Sequence, residues 1–135
     1  MDTVPPVPAQ RDSIPLAVLV VEDSELDAGL MIRELGRYGY AVEWRRVDRA
    51  GALQAELVDR EWDVVLSDYA MPGFGGLEAL AMIRAADPDL PFILVSGTVG
   101  EEAAVAAMRA GAHDYLLKDR LARLGPAVAR AVAEA

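Results

Sequence analysis

The stretch WDVVLSDYAMPGFGG, residues 62–76, drives an apolar run into a carboxylate and then breaks the chain. Val64, Val65 and Leu66 follow one another without polar alternation, which is the pattern of a strand covered on both faces. Asp68 closes that run. Pro72, Gly73, Gly75 and Gly76 then mark a turn before the next helical stretch, so the segment reads as one buried strand, one turn and one helix start. The question it raises is what a carboxylate does at the end of a buried strand.

Working outward from there, short β-branched runs alternate with longer helical stretches along the rest of the chain. That order predicts β/α units folding into a parallel sheet with helices on both faces. Five units are expected. The strands are LAVLVV (16–21), AVEWRRV (41–47), DVVLS (63–67), PFILVS (91–96) and DYLLK (114–118). AVEWRRV alternates like a half-exposed edge strand, whereas the others are more continuously apolar. Helices are expected over about 24–38, 49–60, 76–86, 101–110 and 120–134. Gly39 stops the first, and Asp87-Pro88 stops the third. The last is expected to bend near Gly125-Pro126, because proline lacks a backbone donor and crowds the preceding turn. Residues 1–14, with Pro5, Pro6 and Pro8, read as a mobile tail, and residues 15–135 as one domain.

The composition bounds what such a domain can do. With 135 residues, 53% of them hydrophobic, one core is expected, and no apolar run is long enough to cross a membrane. The absence of cysteine excludes disulfides and thiolate metal sites. A formal charge of −9 argues against direct binding to nucleic acid, since no basic stripe offsets the acid. A cytoplasmic protein with a protein or small cationic partner is the expectation.

In an open parallel sheet, functional groups collect beyond the carboxyl ends of the strands. Five residues fall there: Glu22 and Asp23 after strand one, Asp68 after strand three, Ser96 at strand four and Lys118 at strand five. A single acid at a strand end is more often a loop residue or a helix cap. Three together repel one another, and partial burial penalises their charged forms unless a cation compensates. Oxygen ligands without histidine or thiol suit a hard ion, and a few carboxylates shared with water and a phosphate are the usual surroundings of Mg²⁺. Lys118 could offset the acids and hold a phosphoryl oxygen, and Ser96 could donate a hydrogen bond to another.

The motifs VVEDSELD, VVLSDYAMPG, ILVSGT and GAHDYLLKD, in that order and at these separations, resemble the receiver domains of two-component response regulators from about Leu16 onward. The resemblance implies a (βα)₅ flavodoxin-like three-layer sandwich with strand order 2-1-3-4-5. It implies a switch that accepts a phosphoryl group from a histidine kinase or phosphotransfer protein and slowly loses it again, rather than a turnover enzyme. Carried over residue by residue, Asp68 is the phosphoacceptor. Asp23, Asp68 and the backbone carbonyl of Ala70 are direct Mg²⁺ ligands, Glu22 acts through water, and Lys118 contacts the phosphoryl group. Ser96 and Tyr115 are the switch pair, reshaping the surface of helix four, strand five and helix five, through which a homodimer could form. Receivers commonly place a cis proline after that lysine; here Asp119 follows, and a trans bond is expected.

Other readings fare less well. A flavin module would need a phosphate-cradling loop after strand one, where this chain has EDSELD, and a haloacid-dehalogenase-type phosphatase would need Asp-x-Asp there. A receiver that has lost its chemistry would lack the acceptor or the lysine. The glycines of residues 73–76 lack the Gly-Lys-Ser/Thr ending of a P-loop. His113, the only histidine, precedes strand five, away from the acids, and reads as a structural or surface residue.

Overall fold

A computed structural model describes residues 13–97 and 100–135. Five parallel strands form one sheet in the order β2-β1-β3-β4-β5: β1 Ile14–Val21, β2 Tyr40–Val47, β3 Val64–Ser67, β4 Phe92–Ser96 and β5 Asp114–Leu117. The helices between and after them are α1 Glu25–Tyr38, α2 Ala50–Asp59, α3 Gly76–Ala86, α4 Glu101–Arg109 and α5 Leu124–Glu134. Of the expected mobile tail, residues 1–12 lie outside the described residues, and Ile14 already pairs with Tyr40 in β1.

Strand alternation sorts the core into two layers. Leu19, Val21, Val65, Phe92 and Leu94 pack on one face with Leu53, Leu80, Ile83 and Ala107 of α2, α3 and α4. Leu16, Val18, Val20, Val64, Leu66, Ile93, Val95 and Leu116 pack on the other with Met31 and Leu35 of α1 and Leu124 and Val128 of α5. β3 is buried along its whole length, as its unbroken apolarity requires, and β2 at the sheet edge is the most exposed strand.

The caps follow the sequence. Ser24 stands before α1 and its Oγ accepts the Asp27 N–H at 3.1 Å, satisfying one of the helix's unpaired donors. Gly39 ends α1 with φ 118°, a left-handed conformation open to glycine at little cost.

The C-terminal segment departs from expectation. β5 ends at Leu117, and Lys118–Arg123 form a 3₁₀ helix in which Arg120 leaves helical geometry at φ −128°, ψ 45°. The break therefore comes before Gly125-Pro126, and α5 begins at Leu124. Pro126 lies in the first turn of α5, where its missing N–H has no partner to lose, so it starts the helix instead of bending it. Gly125 is needed for another reason: a Cβ there would overlap the Tyr38 ring, so its absence lets α5 lie against the end of α1. No cis peptide occurs among the described residues, and Lys118–Asp119 is trans as expected.

At the opposite edge of the sheet from the strand ends, Arg84 ties α3 to the loops before β4 and β5. Its guanidinium donates to Gly111 O at 2.7 Å and Leu90 O at 2.8 Å. His113 Nδ1 accepts the Phe92 N–H at 3.2 Å, which requires a ring nitrogen without a proton. Burial, with help from the Arg84 charge, pushes the His113 pKa below its ordinary value and keeps the ring neutral. Of the structural and surface roles open to His113 on sequence, these contacts favour the structural one.

Candidate functional site

The carboxyl ends of β1 and β3 lie side by side, because Val21 pairs with Ser67 in register. The ladder continues one residue past each strand: Asp68 N–H donates to Val21 O at 2.8 Å, and Glu22 N–H to Val47 O at 2.9 Å. The backbone carrying each acid is thus fixed by the sheet. Glu22 is fully buried, Asp68 is 7% exposed, and Asp23 projects into solvent. One carboxylate oxygen from each of the three lies within 4.8 Å of the others.

The turn after β3 is anchored by its own side chains. Met71 and Phe74 are buried in the core, Phe74 N–H donates to Met71 O at 3.3 Å, and Gly73 takes φ 73°. Gly76 N–H donates to Tyr69 O at 2.8 Å, so the carbonyls on both sides of Ala70 are engaged while that of the exposed Ala70 has no donor among the described residues. Gly76 is a spatial requirement as well: a Cβ would come within 2.5 Å of Asp68 O and 2.8 Å of Leu94 Cδ2, so only glycine lets α3 start this close to the end of β3. This is a packed turn, and the glycines hold no phosphate-loop geometry.

Lys118 reaches across from the end of β5. Its Nζ lies 2.8 Å from Glu22 Oε1, 2.7 Å from Asp27 Oδ2 and 3.5 Å from Asp68 Oδ2. Burial disfavours the ammonium, but its donation to the Asp27 carboxylate, its close contact with Glu22 and the charges of Glu22 and Asp68 outweigh it and raise the Lys118 pKa. Glu22 is subject to a different balance. Burial is the largest influence and raises its pKa, Lys118 and the Ser24 N–H oppose that, and the Asp68 charge adds to it. Glu22 Oε2 accepts the Ser24 N–H at 3.1 Å, whereas buried Oε1 has the Lys118 ammonium as its sole neighbour of opposite charge among the described residues. Asp68 Oδ1 accepts the Tyr69 N–H at 2.8 Å, leaving Oδ2 on the Lys118 side.

The donor set fits a hard divalent cation. It is made of oxygen alone, it gathers three acids against one lysine, and one of its acids reaches solvent, where an ion enters.

Ser96 ends β4, is 2% exposed and pairs in register with Leu117. By strand alternation it continues Phe92 and Leu94 on the α2–α4 face, the layer against which the partly buried Tyr115 packs. Glu22, Asp68 and Lys118 are thus brought together directly, while Ser96 ends β4 and Tyr115 lies within β5 level with Leu94, the two sharing one face. Asp27 was not among the sequence candidates. The spacing places it on the buried stripe of α1, four residues before Met31 and eight before Leu35, at the end nearest the carboxylates, but that pattern does not point to Lys118 as its partner.

Comparison with known proteins agrees with this geometry. Residues 18–128 match the family model described as response regulator receiver domain. Protein-glutamate methylesterase/protein-glutamine glutaminase 2 of Caulobacter vibrioides is 38% identical over 114 residues, 83% of this chain and 33% of that protein. Response regulator protein FleR of Pseudomonas aeruginosa is 38% identical over 106 residues, 78% of this chain and 22% of that protein. The chain thus spans a third or less of these two relatives. Among solved structures, the signal receiver domain of the response regulator NarL from Mycobacterium tuberculosis superposes with TM-score 0.72 at 28% identity, covering 90% of this chain and 99% of that one. A receiver domain from Clostridium thermocellum, at 24% identity, superposes with TM-score 0.77 over 88% of this chain and 95% of that one, which shows the fold.

Proposed function

The chain belongs to the response regulator receiver family, and from that premise we propose that Asp68 accepts a phosphoryl group from the phosphohistidine of a histidine kinase or phosphotransfer protein. An oxygen of the Asp68 carboxylate forms the new O–P bond as the N–P bond of the donor breaks, and the leaving imidazole takes up a proton. The observation that carries the reading is the Asp68 carboxylate, fixed at the end of a buried strand with Oδ2 facing Lys118 at 3.5 Å and two further acids beside it.

Asp23, Asp68 and the Ala70 carbonyl would hold Mg²⁺ directly, and Glu22 through water. When bound, the ion supplies positive charge to the oxygens of the transferring group. Lys118 places its ammonium on a phosphoryl oxygen, and Ser96 donates its hydroxyl to another. The pull on Ser96 opens space on the α2–α4 face, which Tyr115 fills by turning inward, and the surface of α4, β5 and α5 changes with it. Val105 and Met108, exposed on α4, give that surface an apolar patch on which two copies could pair. Hydrolysis of the acyl phosphate resets the switch. No helix among the described residues is long and apolar enough to cross a membrane; placement in the cytoplasm, beside the kinase's catalytic modules, is part of the proposal. So is the division of the chain into an N-terminal segment and a receiver, with Ile14 on the receiver side because it pairs in β1.

The test is incubation with phosphoramidate, a small P–N donor that needs no partner protein. The intact mass is expected to gain one phosphoryl group per chain in millimolar Mg²⁺ and none after chelation. Absence of an adduct, or incorporation indifferent to Mg²⁺, contradicts the proposal.

A further inference from the structure

The Lys118 ammonium is stationed between α1 and β1, not over the acceptor. It lies 2.7 Å from Asp27 Oδ2 and 2.8 Å from Glu22 Oε1 but 3.5 Å from Asp68 Oδ2. The Asp27 contact is a charge-assisted hydrogen bond, the Glu22 contact is a close ion pair to an oxygen that accepts no hydrogen bond, and the Asp68 contact is a longer ion pair. Asp27 is well placed to hold a cation there. Its N–H is tied to Ser24 Oγ, and the adjacent Ala28 and the Met31 one turn on are buried, so the helix fixes where its carboxylate stands. The carboxylate is 34% exposed, and Leu30, Met31 and Leu121 flank the pair. Asp27 and Lys118 are 91 positions apart, so this one contact joins α1 to the 3₁₀ turn that Lys118 opens.

We infer that Asp27 is a latch on Lys118: in the unphosphorylated chain its carboxylate competes with the phosphoryl group for the ammonium. The inference rests on Asp68 being the acceptor. A phosphoryl group on Asp68 presents oxygens to the same cation, and Lys118 exchanges Asp27 for one of them. Nζ then moves away from α1, and the turn at Lys118–Arg123, already irregular at Arg120, loses this polar tie to that helix while Leu121 still packs beside Met31. Asp27 acts through Lys118 and touches no reacting atom, so it is a positioning residue. Its removal frees the lysine for the phosphoryl group, whereas loss of a merely structural contact would weaken the site.

The experiment is a ¹⁹F NMR titration of the whole chain with beryllofluoride, a stable phosphoryl mimic, at saturating Mg²⁺. Asp27→Asn keeps the size of the side chain, and Asp27→Ala serves as a second removal of the carboxylate, with melting curves establishing that each folds. Glu25→Gln is the control: it removes a charge from the same helix turn, at a residue 84% exposed whose ion pair is with Arg46. A half-exposed ion pair that must open before binding lowers apparent affinity modestly, so Asp27→Asn is expected to bind the mimic roughly two- to five-fold more tightly than the wild type. Glu25→Gln is expected to match the wild type. Equal affinities for Asp27→Asn and Glu25→Gln, or weaker binding by Asp27→Asn, overturn the latch while leaving the acceptor reading intact. Failure of the wild type to bind the mimic removes the acceptor reading, and the latch with it.

Discussion

Asp68→Asn is expected to abolish phosphoryl incorporation, bringing the adduct from phosphoramidate and Mg²⁺ down to the background of chain without donor. The amide keeps the shape of the side chain and can still accept the Tyr69 N–H through Oδ1, so β3 and its turn have no reason to move. Neighbouring oxygens offer no substitute. Ser67 is fully buried with Oγ donating to Asp68 O at 2.9 Å, and Glu22 is fully buried with both oxygens occupied by the Ser24 N–H and Lys118. The folded state should not suffer, because the repulsion relieved at Glu22 offsets the lost attraction to Lys118, whose 3.5 Å contact with Asp68 is the longest of its three ion pairs. An unfolding midpoint equal to or above the wild type, with no incorporation, is therefore the expected pair of results. Undiminished incorporation in a folded Asp68→Asn chain would assign the acceptor elsewhere.

Lys118→Ala is expected to damage both chemistry and stability. Loss of one positively charged group from a transferring phosphoryl should slow incorporation by about 10²- to 10³-fold, the usual cost of deleting one preorganised donor. The stability cost arises at Glu22. Without Lys118 the buried Oε1 keeps no cation, and breaking a buried pair costs about 3–5 kcal/mol. Because Lys118 is 21% exposed, solvent softens that loss and roughly 2–3 kcal/mol is expected here. The pH dependence follows from the direction of the Glu22 shift. Its pKa is raised above the ordinary 4.5, so the folded state retains a proton that the unfolded state has lost, and stability falls as pH rises through that window. Removing Lys118 extends the window upward. The deficit of Lys118→Ala should therefore be smallest at acid pH, below the ordinary glutamate value, and grow toward neutrality. Mg²⁺ should narrow it. Urea unfolding at several pH values, with and without Mg²⁺, reads all three effects; a deficit independent of pH and of Mg²⁺ would mean that Glu22 is not the group left unpaired.

Much of this arrangement is legible in the residues because it rests on local rules. The unbroken apolarity of Val64–Leu66 requires cover on both faces, and β3 has it. Gly39 and Asp87-Pro88 stop α1 and α3 where they are expected to. Glu22, Asp68 and Lys118 could be placed together because parallel strands bring their carboxyl ends to one edge. What the sequence hid depends on contacts between distant segments. Asp27 looks like any acid in a first helical turn, where it suits the helix dipole; only the packing of α1 against the sheet reveals that it meets Lys118. Pro126 looks like a kink, since its position relative to the helix start is decided by the 3₁₀ turn before it and by Gly125 against Tyr38. The side chains of Ser96 and Tyr115 share a face by strand alternation, and the joint movement proposed for them belongs to a second state that one sequence pattern does not encode.

The central claim is that Asp68 carries the phosphoryl group, and the direct measurement is chemical trapping of the acyl phosphate. Wild-type chain treated with phosphoramidate and Mg²⁺ is reduced with borohydride, which converts an aspartyl phosphate to homoserine, and the peptides are sequenced by mass spectrometry. Homoserine at position 68, and only in samples that received both donor and Mg²⁺, is the predicted result. Homoserine at Asp23 or another aspartate, or a phosphoryl adduct that survives borohydride, would contradict it.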